Sequence, residues 1–235
     1  MNNVKTVAVI VAAGIILGLV SSVSSLALAP AQAKPNTTHV EKYMTSGKIA
    51  SAHWFTEDGD TFTQGIVNLI VAAKTPEGTS ESFVDVNIEQ YKLEEYCEIL
   101  NGEEYCDYEY TPVMTFFGYA ELDRSDFNIS SNLRSASLDS VEVTGFDYVN
   151  GEEKTITVDA TWSDEGSPIK QRNSYSETNE YYKIFFKGMI SGRTADASIE
   201  ITGDINTSSG DSDFSDAFIV KAKEVVLYKI YEEPI

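Results

Sequence analysis

The sequence predicts an all-β chain, an antiparallel β-sandwich, and three observations carry that prediction. Apolar and polar residues alternate over Thr155–Trp162 and Thr194–Thr202, the two-residue period of a strand with one face in a core. No window combines the helical period with a capping residue at each end. Turn residues recur at short spacing, and the runs between them are rich in β-branched and aromatic side chains. With 235 residues, 42% hydrophobic and 23% charged, the chain has the apolar content of a folded domain and not the composition of a disordered one.

From the N-terminus, Lys5 stands before an apolar stretch from Val7 to Val20, and small residues then lead to Ala31-Gln32-Ala33. A basic start, a short apolar run and an Ala-x-Ala end make residues 1–33 a secretory signal peptide. The run is short for a bilayer span of ~20 residues, and no second run of that length follows. The expected mature protein is secreted or held at the cell surface, without a membrane span. Residues 34–46 are polar and read as a flexible leader. Residues 47–235 read as the sandwich domain. Removing residues 1–33 takes away Lys5 and no acid, which leaves the chain one unit more negative than its formal −20. Such a surface repels phosphate backbones, so no nucleic-acid partner is expected.

Within the domain, Ile66 to Ala73 is almost continuously apolar, as a central strand buried on both faces would be. In Thr155–Trp162, Ile156, Val158, Ala160 and Trp162 point inward; in Thr194–Thr202, Ala195, Ala197, Ile199 and Ile201 do. Tyr182–Ile190 and Phe218–Tyr231 supply two further strands.

Two Asn-Gly pairs mark hairpins, because that dipeptide suits the two-residue type I′ turn. For Asn150-Gly151 a two-residue loop pairs Val149 with Glu152, Asp147 with Lys154, Val143 with Val158 and Val141 with Ala160. One pair is unfavourable: Glu142 falls opposite Asp159. For Asn101-Gly102 the same arithmetic pairs Leu100 with Glu103, Glu98 with Tyr105 and Cys97 with Cys106, in a hairpin spanning about residues 91–112. The chain's only two cysteines then face each other in a non-hydrogen-bonded pair, whose Cα separation of ~4.5 Å lies within reach of a disulfide. In an exported protein that bond is expected to form.

Ala50-Ser51-Ala52-His53-Trp54 before Thr56-Glu57-Asp58-Gly59 is echoed by Val158-Asp159-Ala160-Thr161-Trp162 before Ser163-Asp164-Glu165-Gly166. Each reads as a strand ending in Trp before an acidic turn. One reading is a sandwich of two related halves; the other is chance likeness of alternating strands. With Ile66–Ala73, Tyr181–Phe186 and Arg193-Thr194-Ala195-Asp196-Ala197-Ser198, these stretches resemble a group of small secreted bacterial all-β proteins. The resemblance covers about half of the mature chain. It implies an exported all-β fold and no particular activity. The chain departs from the group in having Asp60 where members often carry Cys, and the Cys97–Cys106 hairpin looks like an insertion.

Chemistry-bearing patterns are few. His39 lies in the expected leader, and His53 shares a strand face with Ile49, Ser51 and Phe55. No nucleophile elbow, zinc signature or phosphate loop is present. Carboxylates are abundant, but no pair is singled out for glycoside hydrolysis. A non-enzymatic protein without a cofactor is therefore expected. Asp204, Asn206, Asp211, Asp213 and Asp216 could form a calcium site in a loop. Its spacing departs from the EF-hand, and a solvated acidic loop is the plainer reading. The Asn101-Gly102 hairpin is the most distinctive surface. Tyr96 and Tyr105 lie on one face with Glu98 and Glu103, an aromatic and anionic ribbon suited to a protein or glycan partner. Asn36, Asn128 and Asn206 open N-x-Ser/Thr sequons, which matter if the host glycosylates exported proteins. The leading functional expectation is an extracellular binding or surface module. The alternatives are a structural protein that polymerises by strand addition and a carbohydrate-active enzyme.

Overall fold

The computed structural model describes residues 37–74, 80–100, 103–178, 181–209 and 216–231. The expected signal peptide and Asn36 lie outside these residues. The chain forms ten strands: β1 (Thr37–Asp58), β2 (Thr61–Lys74), β3 (Glu81–Leu100), β4 (Glu103–Glu121), β5 (Phe127–Ile129), β6 (Ser135–Asp147), β7 (Glu152–Thr178), β8 (Tyr182–Gly203), β9 (Thr207–Ser208) and β10 (Asp216–Tyr231). Every pairing is antiparallel. The all-β antiparallel class is the one the alternation predicts.

The pairings also close on themselves. Strands follow one another as neighbours from β1 to β4, then β6, β7 and β8, and β10 bonds to both β8 and β1. The two layers of the sandwich are thus parts of one continuous eight-stranded ring, with β5 on β6 and β9 on β8. Closure leaves the body of the sheet without an edge, the usual liability of an antiparallel sheet. All eight strands of the ring contribute side chains to one core, among them Trp54, Leu69, Val86, Phe116, Val143, Trp162, Ile199 and Ile219. A second cluster, Ile49, Ile70, Phe83, Phe218, Val220 and Ala222, covers the other face of β1, β2, β3 and β10. That double burial explains the unbroken apolar run of β2.

The two tryptophans are accommodated alike, by small neighbours. Trp54 stands opposite Gly65, and Trp162 stands between Ala136 and Ala197. The segments after the two tryptophans differ. β1 ends in a tight turn at Gly59, where φ is +63°. Ser163–Gly166, expected as a turn, is instead an irregularity inside β7, where pairing with β8 skips from Asp164 to Pro168. The Asp164 carboxylate accepts the Gly166 N–H at 2.7 Å and binds Arg193 at 3.4 Å, so the strand bends and continues.

Two further expectations are corrected. From Thr37 on, the expected flexible leader is strand, paired with β10 from Thr37–Tyr231 to Ser46–Lys223. β10 runs well past β2, and this segment satisfies its backbone. The Asn150-Gly151 hairpin has a four-residue connection, so Asp147 pairs with Glu152, Val143 with Ile156 and Val141 with Val158. The register shifts by two, which keeps every side chain on its expected face. The cause is Asp147. Its fully buried carboxylate accepts Thr115 N (3.2 Å), Val149 N (3.1 Å) and Asn150 Nδ2 (2.6 Å), and its carbonyl accepts Gly151 N (2.8 Å). A type I′ turn needs positive φ at both central residues, and only Gly151 has it. The shift also removes the Glu142–Asp159 clash: Glu142 faces Thr157, and Asp159 accepts the N–H of Ser140 at 2.8 Å.

Burial alone would raise the Asp147 pKa. The hydrogen bonds from the Asn150 side chain and from the backbone of Thr115, Asn150 and Val149 outweigh it and hold the group below the usual carboxylate range. Its stabilisation is therefore present at neutral pH and is lost as pH falls through the lowered pKa. Asp147→Ala should cost about 2 kcal/mol at pH 7, read from urea unfolding, with a smaller cost under acid. An equal cost at both pH values would contradict this role.

Candidate functional site

β3 and β4 continue past the ring as a two-stranded ribbon. β2 pairs with β3 only as far as Lys92, and β6 pairs with β4 only at Phe116–Tyr119. The Leu93 N–H still donates to the Asp60 carbonyl (2.7 Å); beyond it the two strands pair only with each other, from Glu94–Glu109 to Leu100–Glu103. The register is the one the sequence predicts, although Asn101 and Gly102 themselves lie outside the described residues. Cys97 and Cys106 are directly opposite, with Cα atoms 4.0 Å apart, and are joined as a disulfide. It ties a hairpin that no core supports.

Both faces of the ribbon are in solvent: every residue from Glu94 to Ile99 and from Tyr105 to Val113 is exposed. One face carries Tyr96 opposite Asp107 and Glu98 opposite Tyr105, with Glu94 opposite Glu109. Glu103 is paired with Leu100 at the end of the ribbon. The other face carries Tyr108, Tyr110, Glu95 and the disulfide. Tyr96 and Tyr105 are about half exposed, at 49% and 55%. The Tyr108 hydroxyl lies 3.2 Å from Glu95 Oε1, and that hydrogen bond raises its pKa. The negative charge of Asp107 does the same to Tyr96. Of the four candidate binding residues, Tyr96, Tyr105 and Glu98 thus share one face of a projecting element.

Toward the ring, a second aromatic group adjoins the ribbon, which sequence reasoning missed. Phe117 and Tyr119 on β4 and Phe146 on β6 point outward, and Phe117 stands opposite Phe146. Phe146 packs edge-on to Tyr148 at 5.3 Å, and Tyr119 contacts Phe83 at 5.4 Å. Behind them Gly118 faces Gly145, where the ring of Phe116 leaves no room for a Cβ. Alternation shows that these aromatics share a face along each strand. Only the β4–β6 pairing, between strands that are not a hairpin, brings the two sets together.

The metal candidates fare differently. Asp211 and Asp213 lie outside the described residues. The Asp204 carboxylate accepts the Thr155 N–H at 2.8 Å, and Asn206 donates to the Gly203 carbonyl at 3.1 Å, so both side chains serve the β8–β9 turn. Asp216 begins β10 opposite His53. Glu95 lies within 4.8 Å of both cysteine sulfurs, but sulfurs joined to each other offer no thiolate to a metal. His53 packs against Phe55 at 4.4 Å; burial lowers its pKa, against the charge of Asp216. Asn128 lies in β5; it and Asn206 are both exposed.

Two small cavities, of about 40 and 30 Å³, flank Glu224 on β10. Each is the size of a water or two, far below the ~300 Å³ of a ligand pocket. Glu224 is 8% exposed, its Oε2 has no hydrogen-bond partner among the described residues, and burial lifts its pKa to about 7. No helix among the described residues is long and apolar enough to cross a membrane. No family model matches the chain, and neither do curated proteins or solved structures, so the functional reading rests on its own residues.

Proposed function

We propose that the chain is an exported, non-enzymatic binding module, and that its contact element is the β3–β4 ribbon. The observation that carries this is exposure of both ribbon faces. A hairpin built for packing buries one face; this one presents tyrosines to water on both, and a disulfide holds its form without a core. Tyrosine gives large contact area at low entropic cost, and the surrounding carboxylates select a basic polypeptide surface. The adjoining Phe117, Tyr119 and Phe146 extend the apolar part of that surface. A non-enzymatic role is supported by the small cavities and by the packing of His53 against Phe55.

Poly-L-lysine is a suitable probe. The intact protein should bind it, and Tyr96→Ser/Tyr105→Ser should weaken binding at least fivefold with an unchanged unfolding midpoint. That variant keeps the net charge, so diffuse attraction to an acidic protein would be unaffected. Binding equal to that of the unaltered protein would overturn the reading, as would no binding by either.

A further inference from the structure

At the end of the strands opposite the ribbon, four strands also run past the ring. They are β7 from Pro168, β8 from Tyr182 to about Ser191, β10 beyond Ala222 and β1 up to Thr45, in the pairing order β7-β8-β10-β1. Directly paired residues share a face. Lys170 stands across from Ser191, which stands across from Lys221, which stands across from Lys48. Arg172, Met189, Lys223 and Ser46 align in the same way, and so do Thr178, Lys183, Lys229 and Val40. With Lys187 and Lys42 on the rungs between, and Lys221 and Lys48 on the adjoining rung within the ring, one face holds nine of the chain's 17 Lys and Arg residues. Among the residues of these segments whose side chains are described, the acids are Glu177 and Glu224, and both fall on the alternate face.

This arrangement carries an electrostatic cost. Lys183 lies directly opposite Lys229, and Lys221 opposite Lys48, and like charges so placed destabilise a sheet. Lys48 Nζ is engaged by the carbonyls of Ile129 (3.0 Å) and Ser130 (3.2 Å). The other eight bases make no ion pair among the described residues. Exposed Val40 and Met189 lie among them. In a chain of net charge −20, a basic face that carries no acid among the described residues, with apolar residues between its charges, marks a surface completed by an anionic partner.

The same chain carries its complement. The ribbon from Leu93 to Val113 has seven acids and no base. Glu94, Glu98, Asp107 and Glu109 share one face with Tyr96 and Tyr105. Ribbon and basic face lie at opposite ends of the strands, so a ribbon cannot reach the face of its own chain. We infer that the basic face of β7-β8-β10-β1 is the docking site for the β3–β4 ribbon of a second copy. This rests on the ribbon being the contact element. Because the two patches differ, the contact is heterologous, and it repeats head to tail into a chain or ring of copies. The open outer edge of β7, which pairs only with β8 beyond Pro168, lies beside this face.

Light scattering at about 0.05 M and about 1 M salt tests it, since the Debye length falls roughly fourfold between them. The expected mass at low salt is twice the monomer or more, returning to the monomer at high salt. Lys187→Glu/Lys223→Glu on the face and Glu98→Lys/Asp107→Lys on the ribbon should each remain monomeric. Mixed together they should give dimers, because the intact ribbon of one meets the intact face of the other. All four positions are exposed; should the face variant fail to fold, Lys170→Glu/Arg172→Glu serves instead. A protein monomeric at low salt overturns the inference, as does assembly that survives either reversal. So does a monomer that sediments with phosphatidylglycerol vesicles through Lys187 and Lys223, since the face would then belong to anionic lipid. If a monomeric protein still binds poly-L-lysine through Tyr96 and Tyr105, only the second copy falls; if that binding is absent too, the ribbon reading falls with it.

Discussion

Gly65→Ala should destabilise the fold by about 3 kcal/mol, at the upper end of the cost of overpacking a core. Gly65 lies on β2 directly opposite Trp54, and a Cβ there would meet the indole ring at 2.1 to 2.5 Å. The indole cannot withdraw, because Trp54 is fully buried within the ring core. Nor is it anchored by its nitrogen, since Trp54 Nε1 has no hydrogen-bond partner among the described residues. The clash is therefore steric and should be relieved by a smaller ring. Trp54→Phe in the Gly65→Ala background is expected to recover at least 1 kcal/mol relative to the sum of the single effects, a coupling that contacting residues show. Urea unfolding of the four proteins measures it. Strict additivity would mean that the strand, and not the indole, excludes a side chain at position 65.

Glu224 is expected to make the fold less stable as pH rises. Its pKa stands at about 7 in the folded chain, against 4.5 for the unperturbed group, because burial penalises the carboxylate. Around it Gln171, Asn173, Phe186, Ile190 and Thr45 carry no charge, and Lys48 is directed to the carbonyls of Ile129 and Ser130. Below pH 4.5 both folded and unfolded chains hold the proton, and the group contributes no difference. Between 4.5 and 7 the folded chain keeps a proton that the unfolded chain has lost, so stability falls with rising pH by about 1.4 kcal/mol per unit. The accumulated loss is roughly 3 kcal/mol above pH 7. Glu224→Gln retains the shape and removes the titration. It should leave stability at pH 5 nearly unchanged and raise it by about 2 kcal/mol at pH 8, allowing for relaxation and water entry. Comparing variant and parent at each pH cancels the general repulsion of a chain at −20. A variant less stable than the parent at pH 8 would show that the carboxylate has a partner in the folded protein.

The two Asn-Gly hairpins show where local reading succeeds. On either side of Asn101-Gly102 the described residues of the ribbon pair only with each other, and the pairing of Cys97 with Cys106 is the one that counting outward predicts. At Asn150-Gly151 the same dipeptide gives way to Asp147, whose buried carboxylate collects donors from Thr115 on another strand as well as from its own turn. A dipeptide preference cannot anticipate a donor 32 residues away. Within the candidate site, the facing of Tyr96 and Tyr105 was legible from alternation and one turn. The projection of the ribbon was not, because it depends on where β2 and β6 stop.

The basic face divides along the same line. Lys170 with Arg172, Lys183 with Lys187, and Lys221 with Lys223 and Lys229 are each evenly spaced, so the sequence places each set on one face of its own strand. Strand identity, the inward residues of each strand and the disulfide are likewise local properties, set by a two-residue period and short loops. That these lysine sets lie on the same side of one sheet depends on the register of β1 with β10 and of β10 with β8. So do closure of the ring, the shift at Asp147, the burial of Glu224 and the separation of acidic and basic ends. Those registers join segments far apart in the chain, and only packing of the shared core selects them.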